Sequence, residues 1–301
     1  SKDIGFSYFI SLGDRLDIHF GHALDFLNSD YRTRAVLLYL ETITNARAFM
    51  SAARATARNK PVLVIKAGRS TEGALAAAQH SGAYLGLDDV YEAAFQRAGM
   101  LRVFDIDTLF DTVETLARTR PLRGERLAIL TNGGGPGFLA TDALRTAGGK
   151  LADLSDESKS LLDDVLTSSW STLNPLVMSS SASPDMYRTA LDILLKDKGV
   201  DAVLVMHVPT ASVDSLTIAE AVVAASKKTK RNILTSWLGI NDAIKARELF
   251  AQSGVPTYFT PDKAVRAFLN MVEYRRNQEI LMEVPASLPD AFDVDSHTAR
   301  E

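Results

Sequence analysis

The sequence predicts an α/β protein of two doubly wound units, each built on a mainly parallel sheet covered on both faces. Three observations carry this. Short Val/Ile/Leu-rich runs alternate with amphipathic stretches of ten or so residues, and near-continuous apolar strands belong to parallel sheets buried on both sides. The alternation resets once, in the polar segment 118–125 that contains Pro121 and Gly124. The 301 residues, 46% of them apolar, are enough for a substantial core in each of two units.

Taken in order, residues 5–11 are an apolar, aromatic run and read as a first strand. Residues 35–40 and 62–66 are aliphatic runs, and 46–58 between them has helical periodicity. Helical stretches at 90–98 and 106–117 flank a short strand at 101–103. After the reset, strands are expected at 127–131, 202–207, 233–236 and 257–259, with helices at 138–147, 186–196 and 215–228. Residues 167–184, rich in Ser and containing Asn174-Pro175, read as a long loop, and such a loop in a compact unit is more often functional than idle. The last residues, with Pro285 and Pro289, read as a linker or tail. The resulting division is 1–121, 122–278 and 279–301.

Composition narrows the function. A net charge of −4 from 33 basic and 37 acidic residues gives no support for nucleic-acid or membrane-surface binding. With no cysteine, disulfides, thiolate catalysis and cysteine metal sites are excluded, and a reducing, cytoplasmic setting fits. No apolar run approaches the ~20 residues of a membrane span. The chain opens on Ser-Lys-Asp, which reads as a piece of a longer protein.

Two segments carry chemistry. The first surrounds His80, which stands in a run of small residues and is followed by Ser81-Gly82. An imidazole attacks phosphorus only when neutral, with one nitrogen free and the other held as N–H by an acceptor. Glu41, directly after the strand at 35–40, stands at a strand's carboxyl end, where ligands collect in open α/β sheets. On the residues alone, a phosphate-carrying histidine and an ordinary loop histidine are both compatible with this pattern. The second segment is Asn132-Gly133-Gly134-Gly135-Pro136-Gly137, between a strand and a helix start. Bare glycine amides at a helix N-terminus suit an anion, and Pro136 fits a first helical turn. The same glycines also serve close helix–sheet packing. His19 and His22, at i and i+3 on one candidate helix, lack a carboxylate that completes a metal site, so no metal is expected.

Together these pieces resemble the NDP-forming acyl-CoA synthetases, the superfamily of succinyl-CoA synthetase. The resemblance runs from about Gly5 to Arg276 through ordered landmarks: Ile10-Ser11-Leu12-Gly13-Asp14-Arg15, Tyr39-Leu40-Glu41, Gly68-Arg69-Ser70, His80-Ser81-Gly82, Thr131 to Gly137 and Ser236-Trp237-Leu238-Gly239. It implies flavodoxin-like domains, the first carrying a phosphohistidine at His80 whose ring is held by Glu41. It also implies that Ser81, Gly82, Asn132, Gly133, Gly134, Gly135 and Gly137 surround the phosphate, with a helix starting after His80 and another near Pro136.

The implied reaction makes acyl-CoA from a small carboxylic acid, CoA and Mg-ATP through an acyl phosphate, with no tightly bound cofactor. The CoA-binding and ATP-grasp domains would lie outside these residues or on a partner subunit, and a homo-oligomer is expected. Two positions depart from the family's pattern. Asp14 stands where Asn is usual, and Val177 stands where the sequence Asn-Pro-Val-Asp has its carboxylate. They leave room for an alternative, a ligand-sensing module of a protein acetyltransferase.

Overall fold

The computed structural model of the chain describes residues 5–15, 17–81, 86–166 and 173–283. Its strands form two separate sheets in which all the paired strands are parallel. The first holds β1 (Val36–Leu40), β2 (Val62–Lys66) and β3 (Leu101–Arg102), in that order. Helices α2 (Ala46–Asn59) and α4 (Asp88–Arg97) share a core with one face through Leu38, Leu40, Phe49, Val64 and Phe95, while α1 (Phe20–Ser29) packs on α2. Helix α5 (Ile106–Arg118) covers the other face through Leu63, Ile65, Leu101 and Leu109. Helix α3 (Thr71–Ser81) lies between β2 and α4 in the chain.

The second sheet has the order β5-β4-β7-β8-β9, with β4 Arg126–Thr131, β5 Lys150–Leu151, β7 Ala202–His207, β8 Asn232–Trp237 and β9 Thr257–Tyr258. This is the flavodoxin strand order. Helices α7 (Asp156–Val165), α8 (Pro184–Lys196), α9 (Ser215–Ser226) and α10 (Ile244–Gln252) share the core of one face. Helices α6 (Gly134–Thr146) and α11 (Pro261–Met282) share that of the other. The apolar β4, β7 and β8 are buried at nearly every position because both of their faces are covered.

Three expectations need correction. Residues 5–11 form no strand; they run over the surface, with Phe9 92% exposed and Phe6 edge-on to Phe110 at 6.2 Å. The apolar pattern there finds no neighbouring strand to pair with. Conversely, the segment read as a long loop contains β6 (Leu176–Val177), which pairs with Leu130 and Thr131 of β4. Asn174 makes this possible. Its Oδ1 accepts from Ile129 N–H at 3.0 Å and its Nδ2 donates to Leu127 O and Ala152 O at 2.8 and 3.0 Å, filling the gap between β5 and β6. Residues 167–172 of that segment lie outside the described residues. Finally, α11 continues to Met282, into the segment read as linker, and residues 284–301 lie outside the described residues.

That extension matters, because α11 is rooted in the second unit and ends in the first. Asn277 Nδ2 donates to Met100 O at 2.7 Å, Gln278 Nε2 donates to Gly99 O at 2.8 Å, and Leu281, 1% exposed, joins the core of the first sheet. Gly99 has φ +72°, and a Cβ there would lie 2.5 Å from Leu281 Cδ2, so only glycine meets both demands. At the junction, Glu125 receives Arg275 and Arg276 at 2.7 and 2.6 Å and Lys150 at 3.3 Å, and the Arg276 hydrogen bond above all pushes its carboxyl down to about 2. Replacing Leu281 by Ala is expected to lower unfolding free energy by about 2–5 kcal/mol, the range for emptying a fully buried leucine site. Urea denaturation of the variant measures this directly.

Candidate functional site

Parallel strands place all their carboxyl ends along one edge of each sheet, and ligands bind there because loops and helix N-termini converge on it. Glu41 leaves β1 at this edge and is half-buried. The turn that follows it is held from two sides. Arg15 Nη1 donates to Thr42 O at 2.7 Å, and Ile43 N–H donates to the hydroxyl of Tyr91 on α4 at 3.4 Å. Arg15 itself has φ +58°, a conformation L-residues rarely adopt, and its guanidinium lies 5.8 Å over the Phe20 ring.

His80 lies in the last turn of α3, and Ser81 ends that helix. The expectation of a helix starting directly after His80 is therefore corrected: the helix runs into His80, and the next one, α4, opens at Asp88. The reason is local. Ser70 Oγ accepts from Gly73 N–H at 3.0 Å, Glu72 favours the first turn, and the alanine-rich run that follows is strongly helix-forming. The positive end of α3 is thus at Thr71, not at His80. The side chains of His80 and Ser81, and all of Gly82, lie outside the described residues.

The glycine turn separates into parts with different tasks. Asn132 is buried; its Oδ1 accepts from Val208 N–H at 2.8 Å and its Nδ2 donates to Val208 O at 2.9 Å, tying the end of β4 to the exit of β7. Its side chain is a clamp, not a free ligand-binding group. A Cβ on Gly133 would lie 2.5 Å from Val208 Cγ2, and one on Gly137 would lie 3.1 Å from Thr131 Cγ2, so these two permit close packing. Gly135 faces open space, and a Cβ on Gly134 would meet only the Phe138 ring at 3.3 and 3.4 Å and Val177 Cγ1 at 3.9 Å. Gly133 is the N-cap and offers no side chain. The first-turn amides of Gly134 and Gly135 therefore have neither an intrahelical acceptor nor a capping oxygen. Val177, beside Gly134, presents an apolar wall where the resemblance expects a carboxylate.

His19 and His22 build the start of α1. His19 is the N-cap of α1: its Nδ1 accepts from Gly21 N–H at 3.2 Å, and His22 Nδ1 accepts from His19 N–H at 3.5 Å, with the rings stacked 4.0 Å apart. Among the described residues no group of three or more His, Cys, Asp or Glu is arranged to hold a metal ion, and no helix is long and apolar enough to cross a membrane. His207 is buried at the end of β7, where Nε2 meets Ser215 Oγ at 3.1 Å and Nδ1 lies 3.5 Å from the Tyr187 hydroxyl. Burial pushes its imidazole down to about 4.

Lys66 at the end of β2 was not singled out by sequence reasoning. It is 3% exposed, and burial lowers its ammonium below the usual lysine range. Its signal was present as the one charge closing an otherwise aliphatic strand.

These features place the chain among known proteins. Residues 1–116 match the succinyl-CoA ligase like flavodoxin domain. The chain is 35% identical over 273 residues to acetate–CoA ligase [ADP-forming] I of Archaeoglobus fulgidus, covering 91% of this chain and 39% of that protein. It is 35% identical to the alpha subunit of acetate–CoA ligase [ADP-forming] II of Pyrococcus furiosus, covering 92% and 61%. The chain is a relative of the ADP-forming acyl-CoA synthetases. Its fold agrees: it superposes with a TM-score of 0.82, at 31% identity, on the dinucleotide forming acetyl-coenzyme A synthetase 1 of Ca. Korarchaeum cryptofilum, covering 91% of this chain and 60% of that one. The chain thus spans about 40% to 60% of the length of these synthetase relatives.

Two outcomes follow from the geometry. Gly135→Ala is expected to fold with unchanged thermal stability, whereas Gly133→Ala lowers the thermal midpoint because the new methyl group meets Val208; circular dichroism melts distinguish them. The His207 pKa lies below its unfolded value of about 6.5, so the unfolded chain binds the extra proton. Stability is then fully present above about pH 6.5 and falls as pH drops toward about 4, by at most about 1.4 kcal/mol per pH unit. In His207→Asn this part of the slope disappears, as denaturation at several pH values would show.

Proposed function

We propose that this chain is the phosphate-carrying core of an ADP-forming acid–CoA ligase, with His80 as nucleophile and Glu41 as the group that orients its imidazole. The observation that supports this most strongly is the coincidence of fold and landmarks. The succinyl-CoA ligase like match spans the segment containing Glu41 and His80, and the second unit ends β4 in an uncapped glycine helix start. One solved relative is described in complex with phosphate and ADP, and the curated relatives act on acetate or other acids with CoA.

In this reading the whole protein joins a small carboxylic acid to CoA at the expense of ATP, giving ADP and phosphate. A free imidazole nitrogen attacks phosphorus in line, the N–P bond forms as the P–O bond to the leaving group breaks, and the leaving oxygen takes the electron pair. Glu41 keeps the other ring nitrogen protonated and stabilises the charge that the ring acquires. The amides of Gly134 and Gly135, aided by the α6 dipole, receive phosphoryl oxygens. CoA and Mg-ATP are substrates whose main binding domains belong to the rest of the protein or to a partner subunit. The units 1–121 and 122–278 are the two folding modules of this core, and a cytoplasmic homo-oligomer is its proposed setting.

The test is to give the complete protein labelled ATP and Mg²⁺ and to follow label stable to base but lost in acid. Wild type is expected to carry it, His80→Ala none, and Glu41→Gln at least about tenfold less per unit time, as for loss of a group that orients a reacting imidazole. Equal labelling of His80→Ala would remove His80 from the reaction.

A further inference from the structure

Lys66 is a buried charge to which the proposed reaction gives no role. Its Nζ donates to Ala67 O at 2.5 Å and lies 4.8 Å from the centroid of the Tyr91 ring. No carboxylate among the described residues pairs with it directly. Asp88 of α4, the acid that acts on it most strongly through space, is already held by Arg102 of β3 at 2.6 Å. Arg102 repels it, and Glu41, beyond the partner strand, attracts it more weakly. The groups facing it are thus Asp88 and Tyr91 on α4, Arg102 on β3 and Glu41 after β1.

A structural lysine in this position would be expected to have its own counter-ion, because an ammonium buried without one opposes folding. Lys66 also sits at the carboxyl edge of the sheet: Leu40 is its register partner on β1, one residue before Glu41. A buried cation at the ligand-binding edge, in direct contact with no described carboxylate, fits a site whose pairing charge arrives with the ligand.

We propose that Lys66 is an anion-binding residue whose ammonium leaves the Ala67 carbonyl, on its four-carbon stem, to pair with a phosphoryl oxygen at the carboxyl edge of the first sheet. This deepens the reading of that edge as a phosphate site and rests on it. A compact, rotatable ammonium suits such a point contact with phosphate.

The experiment is calorimetric titration of the complete protein with inorganic phosphate, paired with thermal melts. Lys66→Met is expected to weaken phosphate binding roughly 10- to 100-fold, the range for losing one hydrogen bond to a charged group. It is also expected to raise the thermal midpoint, since it removes a buried ammonium that no described carboxylate pairs with directly. Lys66→Arg keeps most of the affinity. Unchanged affinity in Lys66→Met overturns the proposal, as does lost affinity with a lowered midpoint, which marks a structural role; so does a wild type that binds no phosphate. His80→Ala, labelled as above, separates the two ideas: if it labels like wild type, the phosphohistidine reading falls while the Lys66 result stands.

Discussion

The arrangement depends on a helix that belongs to both units at once. Helix α11 starts over the second sheet and ends with Asn277, Gln278 and Leu281 set into the first. The carboxamides of Asn277 and Gln278 donate to the backbone of the Gly99–Met100 turn, which leads directly into β3. A buried carbonyl satisfied by a side chain of another unit is costly to expose. The three-stranded sheet is small for an independent domain, and sharing α11 gives it apolar contacts it does not supply itself. The Glu125 cluster adds a charged lock at the same junction, where one carboxylate answers three cations.

Much of this was legible in the sequence because burial on both faces writes itself as uninterrupted aliphatic runs. Strands β1, β2, β4, β7 and β8 announce themselves in that way, and the amphipathic periodicity of α2, α4, α5, α6, α8 and α9 marks those helices. What escaped had no such signature. Strands β5 and β6 are two residues each, too short for any period, and β6 depends on Asn174 supplying hydrogen bonds that a longer strand would make. Residues 5–11 look like a strand because alternation and aromatic content cannot reveal whether a neighbour exists to pair with. The start of α1 was obscured because a histidine, not Ser, Thr, Asp or Asn, accepts the capping hydrogen bond.

The candidate site was legible in type but not in allotment. Glycines at 133, 134, 135 and 137 are one run in sequence, yet neighbours divide them: Val208 and Thr131 fix two, and open space or a movable ring leaves the others free. Asn132 looks like a ligand-binding side chain until Val208 claims both its polar atoms. Around His80 the helix-forming strength of 71–81 carries α3 through that residue in place of the helix start expected after it, so the favourable dipole end lies at Thr71, away from that histidine.

The stitching at the margin of the second sheet has a separate consequence. On its outer side β4 meets β5 at its start, the Asn174 carboxamide at its centre and β6 at its end. No unbroken row of amides and carbonyls is left there to template a foreign strand. A central, strongly aliphatic strand is thereby shielded from edge-to-edge aggregation by one side chain and two dipeptides.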